Sequence, residues 1–281
     1  MPTTYAHWRF GQDCIDAMPK ELKEIVNNNL DIYNLGVHGP DIFFYDLLHG
    51  DVAKYGNVIH HEPSRKFFEK TKDVMEEHEE KDAMLAYCLG FLSHFTLDSL
   101  CHGYVERKKE VSEISHGKIE SEWDGHVMML DERMVNMVDR AESLRPNKEI
   151  AKVISYFFDY DEKVILRTTK MQHMFIHLLN YVTPLKFDIF TWLLTQFKKY
   201  DYRDLFIAPI ESEKCMDSNI RLDKLRNKAR KLYPKLLKNY MDYLHNDKPL
   251  PAYFNHDFEP WIDYQEIPVL SVEEELDYVV K

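Results

Sequence analysis

Glycine is scarce in this chain, 9 of 281 residues, and no stretch alternates apolar and polar residues over the length of a strand. Those two shortages argue against a sheet or barrel and leave long helical runs, so an all-α protein is expected. No repeat of 20–50 residues, low-complexity tract or evident linker interrupts the chain, which is therefore expected to be a single multi-helix domain over 1–281. Cysteine is sparse as well: Cys14, Cys88, Cys101 and Cys215 form no C-x-x-C pair, and a chain this long has no need of a disulfide framework. Positive charge is short by twelve, and a net charge of −12 argues against a general binder of nucleic acid or of anionic membranes. The start, MPTTYAHWRFGQD, shows no basic n-region or apolar h-region, so no signal peptide is visible and a cytoplasmic location is expected. No uncharged apolar run reaches the roughly 18 residues of a membrane span.

What is present is histidine, crowded forward: ten of the fourteen lie in the first 126 residues. The stretch Asp82–Tyr104, DAMLAYCLGFLSHFTLDSLCHGY, is apolar on all sides, so a helix here would be buried rather than amphipathic. Into it are set His94, Asp98 and His102, two steps of four. Each step turns the helix by about 400° and rises roughly 6 Å, so the three side chains share one stripe. Such groups cost several kcal/mol in a helix core unless paired or bound to a cation.

The flanks extend the pattern. Thr4 can cap a first helix ending near Met18, with His7 in its first turn. LGVHGPDIFFYDLLHGD turns at Gly36, Gly39 and Pro40, and Asp41 can cap a short helix over IFFYDLL. His38 and His49 read there as surface or turn residues. His60 and His61 precede Glu62 and Pro63, which open a helix reaching His78. After a polar link, ERKKEVSEIS, Ser115 caps a helix over 116–138 in which His116, Glu120 and Asp124 again step by four. Helices near 148–158, 161–182, 185–200 and 218–245 look structural. His173 and His177 are also four apart, but no acid accompanies them. Pro234 should kink or break its helix, and the basic stripe around it reads as a solvated face. The tail from Asp247 to Trp261 should wrap over the domain, and VEEELDYVVK should close it.

The candidate ligands are then His7, Asp41, His60 or His61, His94, Asp98, His102, His116 and Glu120. All offer nitrogen or carboxylate oxygen, which suits Zn²⁺ and, less specifically, iron or manganese. His94 and His102 are about 12 Å apart along the helix axis, so two or more ions are the natural solution. Multinuclear sites of this kind hydrolyse phosphate esters. A di-iron carboxylate bundle would want E-x-x-H pairs on its helices, which are few here.

Five segments in order, AHWRFG, GPDIFFY, IHHEPSRKFF, LGFLSHFTLDSLCH and HGKIESEWD, resemble the zinc-dependent phospholipase C family, whose fold is shared by single-strand-specific fungal nucleases. The resemblance covers mainly residues 1–130, and the C-terminal half is compatible with intracellular bacterial members. It implies an all-α bundle with zinc at the bottom of a cleft. Carried over by motif, Asp41, His60, His94 and Asp98 would hold one zinc, His102, His116 and Glu120 a second, and His7 with a bridging Asp98 a third. Asp41 would also serve as general base or orient the attacking water, and a metal-bound hydroxide would attack phosphorus. The implied substrate is a phospholipid or small phosphodiester, with no stable nucleic-acid partner. A nuclease-like phosphodiesterase and a non-catalytic, metal-stabilised binding protein are the alternatives. Two departures stand out. Secreted relatives draw third-metal ligands from a mature N-terminal amine and carbonyl, whereas Met1 stands six residues before His7, so two or three ions are expected. His102 also follows Asp98 by a shorter gap than in secreted relatives, which would displace it from its metal.

Overall fold

A computed structural model describes residues 4–46, 48–135, 137–180, 183–196, 204–207, 211–259 and 263–280. Its helices, in order, are α1 (Tyr5–Ala17), α2 (Lys20–Asn28), α3 (Leu30–Gly36), α4 (Gly50–His60), α5 (Arg65–Glu77) and α6 (Lys81–Val111). There follow α7 (His116–Leu130), α8 (Lys148–Ser155), α9 (Glu162–Leu179), α10 (Pro184–Gln196), α11 (Met216–Asn246) and α12 (Val272–Asp277). No strand occurs among the described residues, and the fold is an all-α multi-helix bundle.

The long helix α6 is its axis. Its residues from Ala86 to Ser99 are buried without interruption, as an all-round apolar sequence requires. Helices α1, α2, α3, α5, α7, α8 and α11 all pack against it. The α3 crossing is very close: a Cβ on Gly36 would sit 2.3 Å from the Tyr87 carbonyl, and one on Gly90 2.4 Å from that of Tyr33. Only glycine at both positions lets the two backbones meet. By length and composition α6 could cross a membrane, but 94% of its apolar window is buried inside the protein. One hydrophobic core cluster runs from Tyr5 to Phe258, so the C-terminal tail packs onto the same core as the N-terminal half.

Several elements differ from the sequence reading. The short helix after Gly39 is a 3-10 turn over Gly39–Tyr45, not an α-helix, because Gly39 enters it at φ 49° and Pro40 follows. Helix α4 lies where no helix was expected; Gly50 and Gly56 dilute its periodicity. The expected link ERKKEVSEIS is largely the last turns of α6, held because Val105 is buried and Lys108 pairs with Asp217 on α11. Helix α7 stops at Leu130 instead of 138, with Glu132 left-handed at φ 56°. Pro234 does not break α11, since Tyr233, Leu236 and Leu237 on either side of it are buried. Packing there outweighs the roughly 3 kcal/mol a helical proline costs. The basic stripe of α11 is partly spent in ion pairs, Arg221 with Glu275, Arg226 with Asp223 and Arg230 with Asp13. The expected extension of α10 to 200 and the end of the tail at Trp261 lie outside the described residues.

Candidate metal centre

The first turn of α1 is capped by a distant residue. Thr4 makes no side-chain cap; the Asp124 carboxylate of α7 accepts the N–H groups of Thr4, Tyr5 and Ala6 at 2.9, 3.0 and 2.8 Å. A carboxylate at a helix N-terminus also meets the positive end of the helix dipole. Burial nevertheless raises the Asp124 carboxyl above its ordinary value, against the pull of Arg140 and those N–H groups. The clamp brings His7 to α6, where its Nε2 lies 2.8 Å from Asp98 Oδ1.

The 3-10 turn supplies Asp41 and closes over His94. A Cβ on Gly39 would stand 2.2 Å from His94 Cδ2, so glycine is required for this approach as well as for the positive φ. Asp41 does not cap a helix; its Oδ1 lies 2.9 Å from Nε2 of His60, the last residue of α4. His61 is exposed and turned to its own helix, with Nδ1 on the Asn57 carbonyl. On α6, His94 Nε2 lies 3.0 Å from Asp98 Oδ2 and 3.8 Å from Asp41 Oδ2. His102 Nε2 is 3.7 Å from both Asp98 Oδ2 and Glu120 Oε1. His116 Nε2 is 3.0 Å from the same Glu120 oxygen.

Thus the eight residues read from the sequence meet in one region. Three groups have ligand-type atoms within 4.8 Å of one another: His7, His94 and Asp98; Asp41, His60 and His94; His102, His116 and Glu120. The shorter gap before His102 does not carry it away from His116 and Glu120, because α7 comes to meet it. His173 and His177 are elsewhere, bonded to the Leu144 carbonyl and to Asp139. His49 pairs with Asp46, and His78 stacks on Tyr156.

The hydrogen bonds on the far side of the rings decide what the near side offers. A backbone carbonyl can only accept, so His60 donates from Nδ1 to Gly56 O at 2.7 Å and His102 from Nδ1 to Phe258 O at 2.5 Å. His116 Nδ1 likewise meets the Glu106 carboxylate at 2.5 Å. Each neutral ring then turns the lone pair of Nε2 toward a carboxylate. Lone pair against lone pair at these distances repels unless a proton or a metal cation lies between them. Ring orientation by a second acceptor is how metal-ligating histidines are held. His94 makes the same point. Its Nε2 is fully buried and, although 3.0 Å from Asp98, is not aligned for a hydrogen bond. The donor set, the burial and the fixed tautomers all fit zinc.

Without metal, charge balance falls to the imidazoles. Burial alone would raise the Asp98 carboxyl, but His102, His94 and His7 hold it well below the ordinary range. Asp41 is lowered likewise, against its burial, by His94 and His60. Burial opposes the charge on His102, but Asp98 and Glu120 raise its pKa to about 10.

Four participants escaped the sequence reading. Glu106 sat in the supposed link, and the Phe258 carbonyl lies 156 residues from the ring it orients. Asp124 was visible only as a third step of four on α7. His38, expected at the surface, is completely buried with neither ring nitrogen hydrogen-bonded. Burial, then the His7 ring, lowers its pKa to about 3. Seven of the eight candidate ligands are buried, and His116, with 21% of its side chain exposed, is the one at the rim.

Comparison with known proteins gives one family match: the model described as zinc dependent phospholipase C matches residues 6–181. No curated protein and no solved structure matches the chain.

Proposed function

Because the chain belongs to the zinc-dependent phospholipase C family, we propose that it hydrolyses the phosphodiester bond of a phospholipid or a related small phosphodiester. The observation that carries this is the set of histidines whose Nε2 lone pairs are fixed toward buried carboxylates. In this reading Asp41, His60, His94 and Asp98 hold one zinc, and His102, His116 and Glu120 hold a second. His7 and Asp98 hold a third where it binds. Zinc, when bound, acidifies water and takes up charge that develops on phosphate oxygens.

The chain's own groups have distinct tasks. Asp41 accepts a proton from the attacking water or orients it, and in the metal-free site His94 and then His60 hold its carboxyl below the ordinary range. Glu106 holds the His116 ring at the rim, which is the side open to a substrate. Asp98 lies between His7, His94 and His102, so a change there would disturb every group at once. A net charge of −12 disfavours a long polyanion and favours lipid or a small phosphodiester over single-stranded nucleic acid.

Enclosure of the other seven residues favours a second reading, a metal-stabilised helical protein without turnover. Zinc-loaded protein assayed against phosphatidylcholine, a soluble aryl phosphodiester and single-stranded DNA separates the readings. We expect lipid and aryl ester to be cleaved and DNA spared. His94→Ala should lose zinc and all hydrolysis, whereas Asp41→Asn should lose activity with milder zinc loss. Full zinc occupancy with no turnover of any substrate would favour the second reading, and full activity in His94→Ala would sink the site.

A further inference from the structure

A metal-ligating histidine is kept on aim by an acceptor for its other ring nitrogen. His60, His102 and His116 have theirs in the Gly56 carbonyl, the Phe258 carbonyl and the Glu106 carboxylate. His94 does not. It is completely buried, and its Nδ1 has no hydrogen-bond partner among the described residues. The acceptor nearest in sequence is already taken. His60 uses the carbonyl four residues back on its own helix, but the equivalent group for His94, the Gly90 carbonyl, accepts the Ser93 hydroxyl at 2.7 Å. The rings of Phe91 and Phe258, with centroids 6.4 and 5.7 Å from that of His94, carry no acceptor atom. His7, at 4.7 Å, turns its Nε2 to Asp98.

A buried group beside it has a lone pair that nothing claims. His38 is 0% exposed, and neither of its ring nitrogens is bonded among the described residues. Its neighbour Gly39 touches the His94 ring, since a Cβ there would stand 2.2 Å from His94 Cδ2. The titratable groups that act on His38 are His7, Asp41 and His94, and burial with the two imidazoles keeps it neutral. A neutral imidazole carries one N–H and one acceptor nitrogen. Its backbone is fixed at the start of the 3-10 turn, where its N–H donates to the Leu35 carbonyl at 3.1 Å and its carbonyl accepts from Asp41 at 3.0 Å. We propose that His38 is a positioning residue of the metal centre, whose acceptor nitrogen holds the Nδ1 proton of His94 through one enclosed water and so keeps the Nε2 lone pair of His94 directed at the metal. The link runs through water because no direct hydrogen bond joins the two rings. The inference rests on the zinc reading of the centre and not on turnover.

The test is a zinc competition titration of the full chain and of His38→Leu and His38→Gln, with the Tm of each protein measured free of zinc. Leucine fills the space without an acceptor, and His38→Leu should bind zinc about 10–100-fold more weakly. The carboxamide oxygen of glutamine can accept, so His38→Gln should recover most of that loss. In the zinc-free protein His38→Leu should keep or raise Tm, because it removes a buried polar group that has no partner. A merely structural role has the opposite sign there. Unchanged zinc affinity in His38→Leu overturns the proposal, as does a glutamine variant as weak as the leucine one. So does a zinc-free Tm that falls in His38→Leu together with the affinity. A wild-type chain that takes up no zinc sinks the metal centre and this inference with it. A chain that binds zinc, loses affinity in His38→Leu and hydrolyses no phosphodiester supports the role of His38 and refutes the enzymatic reading alone.

Discussion

At the scale of single residues the centre depends on two residues outside the candidate ligand set. Gly39 meets His94 at a distance no Cβ can share, with φ at 49°. Gly39→Ala should therefore cost about 1–2 kcal/mol from the left-handed backbone alone. It should also push the His94 ring and lower bound zinc, as metal analysis of the purified protein would show. Glu106 orients His116, and removing such a support lowers metal affinity by about 10–100-fold. Glu106→Gln should show that loss in a zinc competition titration while barely moving the Tm of the zinc-free protein, because the Glu106 side chain reaches the surface, 19% exposed. Equal affinity would mean that His116 needs no orienting partner. The eight candidate ligands were legible because helix spacing turns sequence distance into direction, and a buried carboxylate or imidazole is conspicuous in an apolar run. His38 was not legible. A histidine beside Gly and Pro reads as a turn, and only the packing of α1 and α6 over that turn buries it.

Among the elements, α6 was read nearly whole, since an apolar run of that length has few other solutions. Its last turns were missed because they are polar and are stabilised by α11, which is remote in sequence. The 3-10 turn was mistaken for an α-helix because seven residues are too few for apolar spacing to tell 3.0 residues per turn from 3.6. Its C-terminal end shows what fixes it. Asp46 accepts from Arg167 of α9 at 2.6 and 2.9 Å and from the backbone of Leu48 and His49. Burial would raise this carboxyl, but His49 and Arg167 leave it below its ordinary value. A depressed carboxyl stabilises the fold above the unfolded pKa of about 4 and ceases to as pH falls through the folded value. Asp46→Asn should thus cost about 1–3 kcal/mol near neutrality. The gap between the two proteins in urea denaturation should close in the acid range below pH 4. A gap that persists undiminished there would show that the carboxylate charge contributes nothing.

For the whole molecule, three buried carboxylates and five histidines converge in one region, so zinc and fold should be coupled. If zinc is present at about a hundred times its dissociation constant, chelation should remove about 2.7 kcal/mol. For a protein of this size that is a fall in Tm of roughly 5–10 °C, reversed by adding zinc back. An unchanged Tm with zinc demonstrably removed would uncouple the two. The sequence pointed to the first half for chemistry and left the second half as completion of the fold. That division does not hold in space, because Phe258 lies over the centre. Its N–H donates to the His60 carbonyl at 3.1 Å, and its own carbonyl takes the His102 proton. This has a consequence for the order in which the protein is made. All eight candidate ligands have been synthesised by residue 120, but the group that sets the His102 tautomer comes 138 residues later. At about 5–20 residues per second, that is a delay of roughly 7–30 s. During it the nascent chain carries the full ligand inventory with one ring still free to turn, so metal selection belongs to the finished polypeptide and not to the growing one.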